Sequence, residues 1–391
     1  MLRKFLPVGQ GAFYSERFSE LESGRDVNIV YDCGSDSGVS IVRRVIDNEF
    51  KDVKTIDALF ISHLHEDHIN GIPYLLSKCH VKKVYLPYIK PDDLALMRLD
   101  YGTRPRSVPP SDKYGANVDM AESAAGFVRQ MLEDPAGTLS AYARSFGREL
   151  VVHTVGNPSA ALVREVVQDV SKAIIEGGPL IIGDSKWILK TFNIRNDKSA
   201  DIVRQRFVET FGNDMTPNRI AELLHASNSY DNGKEMLEKI RAIYDGIKGK
   251  FNASSLTLFS GSDDTSMTQS VDVQSAISCS DLSGALKNVA SGCLFLGDFD
   301  ASKQSHWRQL TSAYQKCWGM IGCVQIPHHG SMYNFNNEFL RMRAYNVISA
   351  GYGNKHRHPS CHVLARYQRK GRFPFVVTQD PKSFVCMRIV K

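Results

Sequence analysis

Nowhere in its 391 residues does the chain hold the roughly 18 uninterrupted apolar residues that a membrane-crossing helix needs. It lacks a CxxC pair, an internal repeat and a low-complexity tract. Its eight cysteines (Cys33, Cys79, Cys279, Cys293, Cys317, Cys323, Cys361 and Cys386) lie far apart, which excludes the dense disulfide framework of a small secreted domain. The opening "MLRKFLPVGQGAFY" starts basic, but Gly9, Gln10 and Gly11 break its apolar run and no small-residue cleavage site follows, so no export signal is expected. Without such a signal the sequon at Asn252 carries no meaning. A soluble, cytoplasmic protein is the expectation, with no membrane partner.

Acidic residues are missing from one long stretch. The whole chain is only mildly basic at +6, yet from Arg341 to Arg372 there are eight basic residues and no acid. A solvated face and an anion-binding face both fit such a run. What is present elsewhere is ordinary: 42% hydrophobic and 23% charged residues suit a globular protein large enough to bury a substantial core.

Short apolar runs bounded by turn residues dominate both ends: "RKFLPV", "VNIVYDCG", "IDALFIS", "KVYLPY", then "SSLTLFSG", "CLFLGD", "CVQIP", "NVISAG", "FPFVVTQ" and "FVCMRIV". These predict strands. Helical spacing marks "GIPYLLSK", "ALVREVVQDVSKAIIEGG", "IAELLHASNSYDNGKEMLEKIRAIYDGIKG" and "NEFLRMRA". Strands near both ends with helices between them predict a layered α/β fold. Residues 91–178 read as mostly loop and helix, with the proline-rich "YGTRPRSVPPSDKYG" on an exposed connection, and "GPLIIGDSKWILKTFNI" as a brief return to strand.

The chemistry is concentrated in "FISHLHEDHING", which places His63, His65, Asp67 and His68 within six positions. "TIDALFIS" is apolar enough for a buried strand, so the four side chains fall on the loop that follows and can turn inward over one volume. Imidazole and carboxylate are the ligands Zn²⁺ prefers and Mn²⁺ or Fe accepts. One structural ion does not need four ligands from a single loop, so two adjacent ions are inferred. Two cations about 3.5–4 Å apart repel unless an anion lies between them. "CLFLGDFD" offers Asp298 at a strand end, with Asp300 as its competitor. Further strand ends deliver His328 and His329 in "PHHGS" and His356 and His358 in "NKHRHPS".

"HLHEDH", "GD", "PHHGS" and "HP", preceded by "VGQGAF" and "VYDCG", resemble the metallo-β-lactamase superfamily, and most of all the metallo-hydrolase domain of ComEC-type DNA-uptake proteins. The resemblance covers roughly residues 1–90, 177–194 and 251–391. It implies an α/β fold, a four-layer αββα sandwich forming one domain over residues 1–391, with insertions at 91–176 and 195–250. It also implies that His63 and His65 hold one ion, Asp67 and His68 the other, that Asp298 bridges them and that His358 completes the second ion. The wider superfamily takes a further histidine for the first ion. His80, His153 and His225 are weak candidates, and His328 is expected to fill the gap with His329 facing the substrate. The branch carries acids where this chain has Pro7 and Ala12, and a membrane channel that this chain lacks.

A metal-dependent hydrolase follows, with two divalent cations (zinc first, manganese or iron as alternatives) and a metal-activated hydroxide. Asp67 is the expected orienter of that nucleophile, and His329 the group that stabilises the oxyanion or protonates the leaving oxygen. Lys355 and Arg357 stand beside His358 in sequence and are expected to clamp phosphates. Nearby Tyr352 and Tyr367 either pack or stack. The leading expectation is a nuclease or phosphodiesterase on nucleic acid, DNA before RNA by the ComEC resemblance. Two alternatives stay open: hydrolysis of a small phosphodiester or of a lactone or thioester, and a non-catalytic metal-stabilised interaction module. The helical insertions are candidate faces for a partner protein or for self-association.

Overall fold

The computed structural model of the chain describes residues 1–20, 24–103, 118–156, 168–174, 180–182, 185–195, 197–217, 219–220, 230–244, 254–271, 286 and 289–391. The proline-rich connection beyond residue 103, most of "ALVREVVQDVSKAIIEGG" and His225 lie outside them.

Two sheets dominate. The first has nine strands among the described residues, in the order Val289–Ala290, Thr268–Val271, Val385–Val390, Leu2–Phe5, Phe13–Ser19, Asp26–Cys33, Ala58–Phe60, Lys83–Pro87 and Val151–Val155. The second runs Leu180–Ile182, Ser185–Arg195, Ser254–Ser262, Gly292–Phe295, Ile321–Gln325, Tyr345–Ser349 and Phe375–Val377, with Gln168–Asp169 paired to the side. Period-2 alternation explains how they stack. In Asp26–Cys33, Val27, Ile29 and Tyr31 enter the core shared with Trp187, Leu258 and Phe295 of the second sheet, whereas Val30 turns to the opposite face. That opposite face is covered by helices Val39–Glu49 and Ile72–Lys78 through Val42, Ile46 and Leu75. The outer face of the second sheet is covered by Gln304–Ala313 and Cys361–Gln368 through Trp307, Leu310 and Val363. Three apolar cores between four layers make the αββα sandwich of the metallo-β-lactamase fold.

Helices Pro91–Thr103, Val118–Glu133, Pro135–Ser145, Asp197–Phe211 and Tyr230–Tyr244 all add apolar side chains to the helical core outside the first sheet. Leu96, Phe127, Leu139, Phe207 and Ile240 are all buried there. The amphipathic face expected at "MLEKIRAIYDGIKG" is therefore turned inward at Ile240 and Ile243.

Three expectations need correction. Residues 91–178 are not only loop and helix, because Val151–Val155 pairs in parallel with Lys83–Pro87. It is an edge strand with Val151 half exposed, so its two faces carry no apolar alternation to read. "NEFLRMRA" makes only the short 3₁₀ turn Asn337–Leu340, since the chain must next enter the buried strand Tyr345–Ser349. "TIDALFIS" splits, with Thr55–Ile56 pairing His80–Val81 apart from the main sheet.

One polar network ties the sheets through their shared core. The fully buried Arg3 donates from Nε to Glu16 Oε1 at 2.6 Å, from Nη1 to Gln269 Oε1 and the Ser291 carbonyl, and from Nη2 to the Ser260 carbonyl at 3.0 Å. Ser260 Oγ completes it by donating to Glu16 Oε2 while accepting from Trp187 Nε1. A buried pair of this kind adds little over apolar packing, but removing one member strands the other's charge. Arg3→Met is expected to destabilise the protein by about 3–5 kcal/mol, and Arg3→Met with Glu16→Leu to recover most of that loss. Urea unfolding measures both. A single-variant loss below about 1 kcal/mol would show that the network is not a cross-tie.

Candidate metal centre

The centre lies where strand ends of both sheets meet. Ala58–Phe60 is closed by the Ile61 N–H donating to the Tyr85 carbonyl at 2.9 Å, and the chain then runs irregularly through His63 and His65. Asp67 and His68 do not lie on that loop as expected but on the one-turn helix Glu66–Ile69, which sets them on adjacent positions of one tight turn. The floor beneath this turn is the "VYDCG" and "VGQGAF" segments. A Cβ on Gly34 would lie 2.6 Å from the Ile69 nitrogen and 2.7 Å from the Asp67 carbonyl carbon, so only glycine allows the approach. Ala12 N–H donates to the Asp67 carbonyl and Gly71 N–H to the Cys33 carbonyl, at 3.3 and 2.9 Å. From the second sheet, Gly297 (φ 53°) presses against Ser62 and delivers Asp298.

Hydrogen bonding fixes the ring orientation of four histidines. His68 Nδ1 lies 2.8 Å from Asp32 Oδ2, an acceptor. Ser62 Oγ donates to the same oxygen at 2.7 Å, which leaves its lone pairs for His63 Nδ1 at 2.9 Å. Asn334 Nδ2 donates to the Asp298 carbonyl, so its Oδ1, 2.9 Å from His328 Nδ1, is the acceptor there. His329 Nδ1 faces the Ser349 carbonyl at 2.9 Å. In each ring Nδ1–H is the donor, and the Nε2 lone pair is left for the centre.

Those Nε2 atoms converge on Asp298. Its Oδ2 lies 3.5 Å from His63 Nε2 and 3.7 Å from His328 Nε2, and its Oδ1 lies 3.4 Å from His68 Nε2 and 3.9 Å from His329 Nε2. One carboxylate thus addresses two groups. On one side His65 Nδ1 is 3.0 Å from His63 Nε2; on the other Asp67 Oδ2 is 3.1 Å from His329 Nε2 and 3.9 Å from His68 Nε2. The sets His63, His68, Asp298 and Asp67, His68, His329 each bring their donor atoms within 4.8 Å of one another, as a metal ion requires.

The electrostatics fit a cation. Burial works against a charge on Asp298, but the facing His328, His63 and His68 hold its carboxyl well below the usual carboxylate range. Burial likewise opposes charge on His68, yet Asp32, Asp298 and Asp67 around it push its pKa well above the ordinary histidine value. In the metal-free protein a proton on His68 answers the demand of three carboxylates. His68 Nε2 and Asp298 Oδ1 are buried without a hydrogen-bond partner, so the donor set fits the divalent cations expected from the sequence.

Backbone strain gathers at the same place. Among the described residues the non-glycine positions with positive φ are Asp32, His328, His329 and Arg357, at 55, 49, 55 and 55°. Such positions cost roughly 1–3 kcal/mol each and persist where surroundings over-determine them. Here the His328 N–H is held by the Gly297 carbonyl and the Ser331 N–H by the His328 carbonyl, both at 2.9 Å.

The remaining candidates fall into two sets. His358 stands next to the centre, with ring centroids 5.7 Å from His328, 6.3 Å from His329 and 5.8 Å from His356. Burial, followed by neighbouring His329, His328 and His356, pushes its pKa down to about 3, so the ring is neutral. Against the expected division of the "HH" pair, it is His329 that meets Asp67, and His358 lies outside both close-set groups. Lys355 and Arg357 are exposed on the same turn, closed by Asn354 through the Gly351 and His358 carbonyls. Asp300 binds Ser302 and Lys303, His80 accompanies the Glu149 carbonyl, and His153 stacks on Tyr85; none joins the centre. Tyr367 is buried against Phe335. Ser62 and Asn334 give no chemical signal in the sequence, and Asp32 stands out only as the acid within "VYDCG".

Part of the chain is similar to known proteins. Residues 21–154, which carry Asp32 and the "HLHEDH" run, match the family model described as the Metallo-beta-lactamase superfamily. Two curated proteins named Ribonuclease J are similar over shorter stretches. That of Mycoplasma genitalium is 37% identical over 70 residues, and that of Mycoplasma pneumoniae 40% identical over 74 residues. Each match covers 16% of this chain and 12% of the relative, so the chain spans only about an eighth of those proteins. The crystal structure of a long form RNase Z from yeast aligns with a TM-score of 0.32 and 11% identity, covering 90% of this chain and 37% of that one.

Asp32 touches no candidate metal position, yet it fixes His68 and, through Ser62, His63. Asp32→Ala is expected to weaken Zn²⁺ binding by about 10–100-fold. Competition with a chromophoric chelator measures this, and equal affinity in both proteins would refute the orienting role.

Proposed function

We propose that the chain is a metal-dependent phosphodiesterase acting on nucleic acid. The observation that carries the reading is the buried Asp298 carboxylate, set between two histidine groups whose Nε2 lone pairs are oriented toward it, beside the exposed cations Lys355 and Arg357. His63, His65 and His328 would hold one cation and Asp67, His68 and His329 the other, with Asp298 shared between them. Two divalent cations there supply an ionised water near neutral pH and neutralise charge on an attacked phosphodiester.

The protein's own groups do the rest. Asp67 orients the attacking water through its second oxygen. His358, neutral and next to both sets, takes the place expected for His329 and donates a hydrogen bond to the phosphate. Lys355 and Arg357 clamp the flanking phosphates. Of the other cations of the acid-free stretch, Arg341 pairs with Glu338, and Arg372 caps the carbonyls of Leu340 and Ala344. The relatives named Ribonuclease J support nucleic acid as the substrate class and bring RNA level with DNA, which the ComEC resemblance favours.

One observation favours a second reading. A cavity of about 150 Å³ opens beside Leu64, the residue between His63 and His65 in sequence, and is lined by Leu86, Tyr88, Ile89, Leu94 and Pro135 together with Asp134 and Thr154. It suits the apolar part of a small phosphodiester, lactone or thioester.

Purified protein, stripped with chelator and reloaded separately with Zn²⁺ or Mn²⁺, is to be incubated with end-labelled single-stranded DNA, duplex DNA and RNA. Metal-dependent cleavage is expected, lost by about 10²–10³-fold in Asp298→Asn while the circular dichroism spectrum is retained. Cleavage that survives both chelation and the substitution would overturn the assignment. Intact polymers with turnover of a thioester or small diester would favour the second reading.

A further inference from the structure

The loops that carry the second-sheet histidines also carry the two most exposed tyrosines among the described residues. Tyr333, four positions after His329, is 56% exposed, and Tyr352, six before His358, is 66% exposed. Met332, beside Tyr333, is exposed as well. Single exposed aromatics are ordinary; two flanking one charged site are not. Tyr367, the other aromatic of this stretch with a candidate stacking role, is fully buried and has its packing partner, which leaves Tyr352 as the ring open to a ligand.

Both rings stand on turns tied to the centre. Tyr333 N–H donates to Ser331 Oγ, and the next residue, Asn334, holds His328 and the Asp298 carbonyl. Tyr352 N–H donates to Gln379 Oε1 at 2.8 Å, while Asn354 closes the turn onto His358. Fixed backbones and only two side-chain torsions per ring make stacking cheap in entropy. Lys355, His356 and Arg357 share the Tyr352 turn and are exposed, so cations and a ring face stand on one short segment. An anionic backbone bearing planar bases matches both features; a phosphate alone has no use for the rings, and an apolar partner none for the charges.

We propose that Tyr333 and Tyr352 are base-stacking specificity residues that make the centre select unpaired strands of nucleic acid. The inference rests on the phosphodiesterase reading above. In a duplex the base faces are already stacked on one another, so neither ring gains a contact there.

The test measures kcat/KM of the metal-loaded protein on an end-labelled single strand, its duplex, and the same strand with abasic linkers flanking the cleaved position. Bis(p-nitrophenyl) phosphate is run in parallel as a probe of the histidine centre. Wild type is expected to prefer the base-bearing strand by on the order of 10-fold or more over the other two. Tyr333→Ala and Tyr352→Ala should each lose about 10-fold on that strand and little on the abasic one, while Tyr352→Phe and Tyr352→Trp keep the preference. Equal cleavage of abasic and base-bearing strands, or unchanged alanine variants, overturns the proposal. Turnover of the small diester with no polymer cleaved also overturns it but leaves the hydrolytic centre standing. Failure on every substrate removes the phosphodiesterase reading itself.

Discussion

The buried centre depends on how four imidazole rings use their outer nitrogens. His63, His68, His328 and His329 each commit Nδ1 to Ser62, Asp32, Asn334 or the Ser349 carbonyl, and each is left with one lone pair aimed inward. Those lone pairs face Asp298, with Asp67 beside them. Acceptors packed against acceptors repel in a low-dielectric interior, and positive charge among them offsets that repulsion. The raised pKa of His68 says the same thing in protons: burial disfavours its charge, yet Asp32, Asp298 and Asp67 overrule it. A metal ion and a proton compete for that place, and deprotonated ligands are what a divalent cation needs.

Such a cluster cannot hold itself together. Its frame is the sandwich, in which the ligands sit on short segments that follow buried strands, Asp67 and His68 on a single helical turn, where the chain is still constrained by its neighbours. Ile61 is held by Tyr85, Ala12 by Asp67, and His328 by Gly297. Left-handed backbone at Asp32, His328 and His329 is tolerated because hydrogen bonds on both flanks determine it. The Arg3 network acts at another level, fixing the two sheets against each other through the core between them. Sub-ångström positions at the strand ends rest on that relative placement.

Much of this is legible in the chain, for identifiable reasons. Strands buried on both faces read as short apolar runs, so "VNIVYDCG", "CLFLGD" and "NVISAG" announce themselves. Histidine is rare enough that its clusters at those strand ends stand out. Less legible are groups whose role is contact rather than chemistry. Nothing in the sequence says that Asn334 accepts from His328, or that Ser62 relays Asp32 to His63, because these contacts exist only once the loops that carry them have folded. The edge strand Val151–Val155 escaped for the opposite reason: half exposed, it lacks the periodicity that burial imposes. The "HH" division turned on a backbone detail, two consecutive left-handed residues, that no composition rule encodes.

The two halves of the chain make different contributions around the centre. Helices of the 91–145 and 197–244 regions deepen the core outside the first sheet, and Leu94 and Pro135 share a small cavity with Leu64. The margin built from the turns after Ile321–Gln325 and Tyr345–Ser349 is polar, cationic and aromatic. The cavity is too small to follow a polymer beyond one planar group, whereas the loops present several charges in succession along an exposed turn. If the substrate is a strand, the exposed cations and rings of the second half are the groups placed to meet it.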